Sequence, residues 1–255
     1  MPAKAGIQFV ALLGSRPGSG SGVTFFRGND ECEVLRCFKK LFQLFASMKV
    51  LPSCTECPRL AGFLAEVRSR KPDYHARPVL PFGDPRARLL IVGLAPGMHG
   101  ANRTGRPFTG DFAGILLYET LHAFGFGSKP VSLAAADDLR LMDCRITNAV
   151  KCLPPENKPE PAEIRTCNPY LADELATAPE LRVILALGLV AHKAVLMALG
   201  LRQSALVFGH GERHVLPDGR ILIDSYHCSR YNTQTRRLTG AGFQDVFRSI
   251  RAELA

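Results

Sequence analysis

Four short runs rich in aliphatic and β-branched residues, at 89–94, 145–150, 183–187 and 221–225, recur along the chain. Segments with helical spacing lie between them. Phe112, Ile115, Leu116 and Leu121 form one apolar face beginning at Asp111, and residues 190–199 form another helix that Gly200 closes. Strands alternating with helices imply an α/β chain whose parallel sheet is covered on both faces. Ligands of such sheets sit beyond the carboxyl ends of the strands. Three candidate segments obey that rule: residues 93–111 follow the first run, Asn148 lies near the end of the second, and His227 follows the last. No internal repeat is present.

The chain has 255 residues, 46% of them hydrophobic, enough for one domain with an appendage. Residues 14–22, Gly-Ser-Arg-Pro-Gly-Ser-Gly-Ser-Gly, read as flexible low-complexity sequence. Residues 1–47 are therefore expected to be a flexible extension, with a single domain over 48–255 and Met48 a conceivable start. The most hydrophobic stretch, 183–201, carries His192 and Lys193 centrally and Gly188 where a turn fits. It reads as a strand followed by a helix, not as a membrane span. No convincing export signal precedes the eight cysteines, which points to a reducing, cytoplasmic setting where cysteine clusters bind metals. The formal net charge of +9 suits a polyanionic partner.

Half of the cysteines form a pair plus two singles. Cys54-Thr55-Glu56-Cys57 is a pair whose tight turn converges two thiolates. Cys152 and Cys167 bracket a stretch stiffened by four prolines and can close the site. Four thiolates hold either a zinc ion or an iron–sulfur cluster, and spacing leaves both open. Cys32, Cys37, Cys144 and Cys228 have weaker claims, and Cys144 is expected to be a small buried hydrophobe.

The loop 93–111 has five glycines and two prolines, so its backbone can approach a ligand closely. It lacks the Gly-Lys-Ser/Thr of a phosphate loop and the glycine fingerprint of dinucleotide folds. Phe108 either stacks on a flat base or anchors the loop from beneath. Asp111 opens a helix as its N-cap, and an ionised carboxylate there can also orient water. His227 precedes a loop with three arginines and several hydrogen-bonding side chains, suited to phosphates. Asn148 offers an amide for a base edge or satisfies a strand end.

Taken together these segments resemble the uracil-DNA glycosylase superfamily, most closely its iron–sulfur type-5 members, over roughly 48–250. Gly93-Leu94-Ala95-Pro96 through Gly105-Arg106-Pro107-Phe108-Thr109-Gly110-Asp111 is similar to the family's first motif, Asn148 through Pro159 to its middle segment, and His227 through Thr239 to its second motif. The resemblance implies a three-layer α/β/α sandwich with a central four-stranded parallel sheet. It also implies a [4Fe–4S] cluster on Cys54, Cys57, Cys152 and Cys167, and excision of uracil from DNA. Leu94 and Ala95 are apolar where other types carry a polar or acidic residue, which moves the expected carboxylate role to Asp111. Two positions depart from the pattern. Cys228 replaces a proline, and Arg236 replaces a glycine, the residue that adopts positive φ freely, a change expected to strain the loop.

On this reading Arg103, Arg106, Arg230 and Arg237 grip phosphates, and the 227–239 loop fills or distorts the duplex once the base has left the stack. Gly93, Ala95, Phe108 and Asn148 bind the base. Asp111 positions water and stabilises positive charge on the sugar, while His227 stabilises negative charge at a uracil carbonyl. No lysine is placed for a Schiff base, so a monofunctional, monomeric enzyme is expected, acting on DNA containing uracil or other deaminated bases. The cluster is expected to be structural. Two rivals stand beside this reading: a non-catalytic nucleic-acid-binding protein with a redox-sensing cluster, and a glycosylase preferring hypoxanthine or xanthine.

Overall fold

The computed structural model describes residues 51–255. The expected extension 1–47, Met48, Cys32 and Cys37 lie outside the described residues. The strands are β1 (Phe82–Gly83), β2 (Leu89–Gly93), β3 (Cys144–Asn148), β4 (Val183–Leu187), β5 (Arg213–Val215) and β6 (Ile221–Ser225). The α-helices are α1 (Pro58–Arg70), α2 (Ala101–Thr104), α3 (Phe112–Ala123), α4 (Pro161–Ala176), α5 (Leu189–Ala198), α6 (Arg230–Gln234) and α7 (Gly240–Leu254).

One sheet runs in the order β1-β3-β2-β4-β6-β5. The four inner strands are mutually parallel, as expected, and β1 and β5 add an antiparallel strand at each edge. The edge strands have two and three residues, too short to impose a hydrophobic period on the sequence.

Alternate residues of each inner strand feed two separate cores, which makes the sandwich three-layered. Leu89, Ile91, Ile146, Leu185 and Ile223 pack on one face with Leu117, Tyr118 and Leu121 of α3 and Phe243, Phe247 and Ile250 of α7. Leu90, Val92, Ile184, Ala186 and Leu222 pack on the other with Leu171 and Leu175 of α4 and Ala194, Val195 and Leu196 of α5. Full burial of a side chain such as Phe247 is worth about 1.5–3 kcal/mol. The α3 face differs from the expected one: Ile115 is 55% exposed, and Leu117 and Tyr118 take its place in the core.

The stretch 183–201 is strand β4, a turn at Gly188 with φ +97°, and helix α5, after which Gly200 turns the chain at φ +71°. His192 is buried within α5, with Nδ1 2.8 Å from Asp224 Oδ1 and Nε2 3.1 Å from the Leu206 carbonyl. Among the described residues no helix is long and apolar enough to cross a membrane.

Candidate active site

The inner strands deliver Gly93 and Asn148 side by side, paired in register at the carboxyl ends of β2 and β3. A Cβ on Gly93 would overlap Asn148 Oδ1 and lie 2.6 Å from Phe108 Cζ, so only glycine admits both neighbours. Phe108 is 6% exposed and holds φ +53°, a strained setting for a non-glycine residue. Its carbonyl fills the space where a Cβ on Gly114 would sit. Its ring stacks on His227, with centroids 5.7 Å apart and planes inclined at 30°. Phe108 is therefore both an anchor in the core and a wall of the cavity above it.

That cavity has a volume of about 980 Å³ and lies over the strand ends. Ala95, Phe108, Asp111, Asn148, His227 and Arg230 all line it. Gly93 supports it from below through Asn148 and Phe108.

Asp111 caps α3, with Oδ1 accepting from Gly114 N–H at 3.0 Å. Oδ2 points the other way, onto the backbone of Gly100 and Gly97. Burial raises the Asp111 pKa, and the N–H groups of Gly114 and Ala113 pull it partly back. His227 shows the opposite response: burial lowers its pKa to about 4, so the ring is neutral near pH 7. Asn232 Nδ2 donates to the His227 carbonyl at 2.8 Å and fixes the turn into α6. The site thus holds a carboxyl group and a neutral imidazole in one cavity.

Three of the four expected phosphate-gripping arginines are exposed, and two of them, Arg103 and Arg230, line this cavity. Arg103 is tethered by its Nε to the His99 carbonyl at 2.7 Å, Arg230 lies 5.0 Å over the Phe112 ring, and Arg237 lies 4.3 Å over the Tyr226 ring. Arg106 is a correction. It is 5% exposed, donates to Ser132 Oγ and the Ala135 carbonyl, and pairs with Asp137. Burial pushes the Asp137 carboxyl up, yet Arg106 and three backbone N–H groups hold it at about 2. Arg106 is a buried strut that ties residues 132–137 to the loop, and both its Nη atoms are already engaged there.

Sequence reasoning passed over further lining residues, among them Met98, His99, Val131, Leu133 and Asn157. Asn157 stood inside the stretch 148–159 that is similar to the family's middle segment, yet no role was read for it.

Cys54, Cys57, Cys152 and Cys167 converge around one small depression, together with Leu51, Leu60, Val150 and Tyr170. Cys57 is the N-cap of α1, and Cys167 sits within α4. Lys151 N–H donates to Cys167 Sγ at 3.3 Å, and Tyr170 O–H donates to Cys54 Sγ at 3.4 Å. Burial first, and then the neighbouring sulfurs, push the Cys152 thiol up to about 12. Crowded thiols with donors aimed at sulfur fit a thiolate-ligated centre, since a cation restores the charge balance that burial otherwise forbids. Cys144, by contrast, is fully buried in the sheet core, as expected.

The Uracil DNA glycosylase superfamily profile matches residues 80–251, which spans the sheet and every cavity-lining loop. The chain belongs to the Uracil DNA glycosylase superfamily. Within that superfamily it falls with the type-5 proteins. It is 52% identical to a type-5 uracil-DNA glycosylase of Thermus thermophilus, over 79% of this chain and 94% of the relative. A type-5 uracil-DNA glycosylase of Mycobacterium bovis is 44% identical over 78% of this chain and 77% of its own. One from Pyrobaculum aerophilum is 41% identical over 80% and 90%.

Two departures of this glycosylase-family chain now have a structural setting. Arg236 holds φ +57°, the left-handed conformation that glycine adopts without strain. Cys228 is fully buried in the core beneath the site, close enough to Asp111 for the carboxylate to raise its thiol pKa further after burial.

Proposed function

We propose that this protein is a DNA repair glycosylase that hydrolyses the N-glycosidic bond of uracil in DNA and leaves an abasic site. The observation that carries the reading is the pairing in one cavity of a carboxylate with a free oxygen, Asp111 Oδ2, and a neutral imidazole, His227. The type-5 relatives carry the same activity in their names.

The flipped base enters over the strand ends, where Phe108 offers a ring face and Asn148 an amide for the base edge. Water attacks C1′ and the C1′–N1 bond breaks, its electron pair leaving on uracil. Asp111 stabilises the positive sugar and takes the proton of the attacking water. Neutral His227 donates to a uracil carbonyl as the base becomes anionic, so no proton need be lost or gained by the imidazole beforehand. Arg103, Arg230 and Arg237 hold phosphates around the mouth. No lysine lines the cavity among the described residues, in keeping with a monofunctional enzyme.

Cys54, Cys57, Cys152 and Cys167 would hold a [4Fe–4S] cluster. When bound, the cluster acts structurally, tying the start of α1, the segment after β3 and helix α4 to one centre.

A glycosylase that also accepts deaminated purines is a second reading, favoured by a cavity of about 980 Å³ whose motif-one wall is the small Ala95. Duplexes containing uracil, hypoxanthine or xanthine test both. Release of uracil is expected, and cleavage of the purine lesions as well supports the broader reading. Cleavage of none by protein with an intact cluster leaves a nucleic-acid-binding module instead.

A further inference from the structure

Ser132 is buried in the segment 128–140, and its hydrogen bonds run inward. Its Oγ lies 2.7 Å from Thr109 Oγ1 and accepts from Arg106 at 3.0 Å, and its carbonyl accepts the Gly110 N–H at 3.3 Å. Anchoring Ser132 inward leaves its two neighbours outside: Val131 is 49% exposed and Leu133 70%. The segment is closed at its base by the Gly127–Leu141 bridge and by Ser128 N–H donating to the Arg140 carbonyl. Asp137 accepts the N–H groups of Leu133 and Ala134 while paired with Arg106. Two large apolar side chains are thus held in place by a well-bonded backbone and left open to solvent.

Both line the cavity that holds Asp111 and His227, and the exposed Ile115 of α3 lines it with them. Single exposed aliphatic residues are ordinary on a protein surface, but several on one cavity rim mark a contact surface. The exposed Arg103 and Arg230 line the same cavity. Both carboxylates of the segment are engaged, Asp137 with Arg106 and Asp138 with Lys129. An apolar rim beside two cations suits a partner made of apolar rings joined by anionic linkers, which is a nucleic-acid strand.

We infer that Ile115, Val131 and Leu133 form a binding shelf for the nucleotides that flank the extruded uracil. This rests on the glycosylase reading above. Extrusion breaks the stacking of the two neighbours on the lesion, and the shelf packs on the ring faces and deoxyriboses so exposed. Arg103 and Arg230 take the phosphates between them. The Arg106–Asp137 pair then does more than brace the fold, because it holds the segment bearing Val131 and Leu133 at the cavity's edge.

A variant carrying Ile115→Ser, Val131→Ser and Leu133→Ser tests the inference. All three side chains are exposed, so its melting temperature is expected to match the wild type. The probe is a duplex whose uracil nucleotide carries a 2′-fluorine, which resists cleavage. A second duplex has the two flanking nucleotides replaced by propanediol phosphates, which keep the charge and lack sugar and base. The wild-type protein is expected to bind the second duplex about 10-fold more weakly than the first. The variant is expected to bind the first about 10-fold more weakly than wild type does, with no further loss on the second. Wild-type affinity in the variant, or a loss as large on the second duplex as on the first, overturns the inference and leaves the glycosylase reading standing. Unchanged duplex binding with loss of a wild-type dimer in sedimentation assigns the patch to a second copy of the chain and overturns it too. A wild-type protein that leaves an unfluorinated uracil duplex intact overturns the glycosylase reading and the shelf with it.

Discussion

Asp111 Oδ2 occupies the space a Cβ on Gly100 would need, so the carboxylate lies directly against bare backbone. Its partner oxygen accepts the N–H of Gly114 at the start of α3. The two oxygens are thus divided: Oδ1 begins a helix, and Oδ2 is the one proposed above to face the reaction.

Gly100→Ala is expected to push that carboxylate out of line. A displacement of about 1 Å at a reacting group costs on the order of 10²-fold in rate. Single-turnover cleavage of a uracil duplex measures it, and an unaffected rate would show that the position of Oδ2 is irrelevant.

The rate should depend on pH through Asp111 and not through His227 near neutrality. Burial raises the Asp111 pKa above its ordinary 3.8, so activity falls as pH drops through a value higher than a free carboxylate's. His227 stays neutral down to about 4 and adds no inflection at its ordinary 6.5. Stability follows the same histidine. Below 6.5 the unfolded chain takes up a proton that the folded chain refuses until about 4, so stability falls as pH is lowered across that window. His227→Gln should flatten the decline in chemical denaturation; an equal slope in the variant would contradict the buried neutral ring.

Arg106 and Arg103 should behave as different kinds of residue despite their proximity in sequence. Arg106→Ala leaves Asp137 without its buried partner and is expected to cost about 3–5 kcal/mol of stability. Arg103→Ala should leave stability intact and reduce the salt dependence of DNA binding by about one unit of slope. Urea unfolding and binding titrations at several salt concentrations separate the two, and a reversed pattern would refute both assignments.

At Arg236, glycine is expected to stabilise the protein. A left-handed non-glycine residue costs about 1–2 kcal/mol, and the added freedom of an unfolded glycine returns about 0.5–1 of it. The net gain for Arg236→Gly is about 0.5–1 kcal/mol by denaturation. A loss instead would mean that the arginine side chain stabilises this turn by more than its backbone strain costs.

The parallel core was legible because its strands are buried on both faces and read as continuous apolar runs, as in Leu89 to Val92. Asp111 was legible as a cap and His227 as a strand-end residue for similarly local reasons. Arg106 was misread because its partner Asp137 lies thirty-one positions away, and a charge looks free in sequence until its partner is located. Asn157 was missed because it reaches the cavity wall only through the fold of its turn. The edge strands β1 and β5 depend on pairing with β3 and β6, and too few residues take part for any local period to form.

In the proposed mechanism the Asp111 carboxylate drives hydrolysis while its capping bond serves the fold. Asp111→Asn isolates the two, because asparagine caps a helix as well as aspartate does but carries no charge. Single-turnover cleavage of a uracil-containing duplex, measured beside chemical denaturation of the same variant, is the direct test. A rate loss on the order of 10²–10³-fold with stability unchanged is expected. An Asp111→Asn protein that excises uracil at the wild-type rate would contradict it.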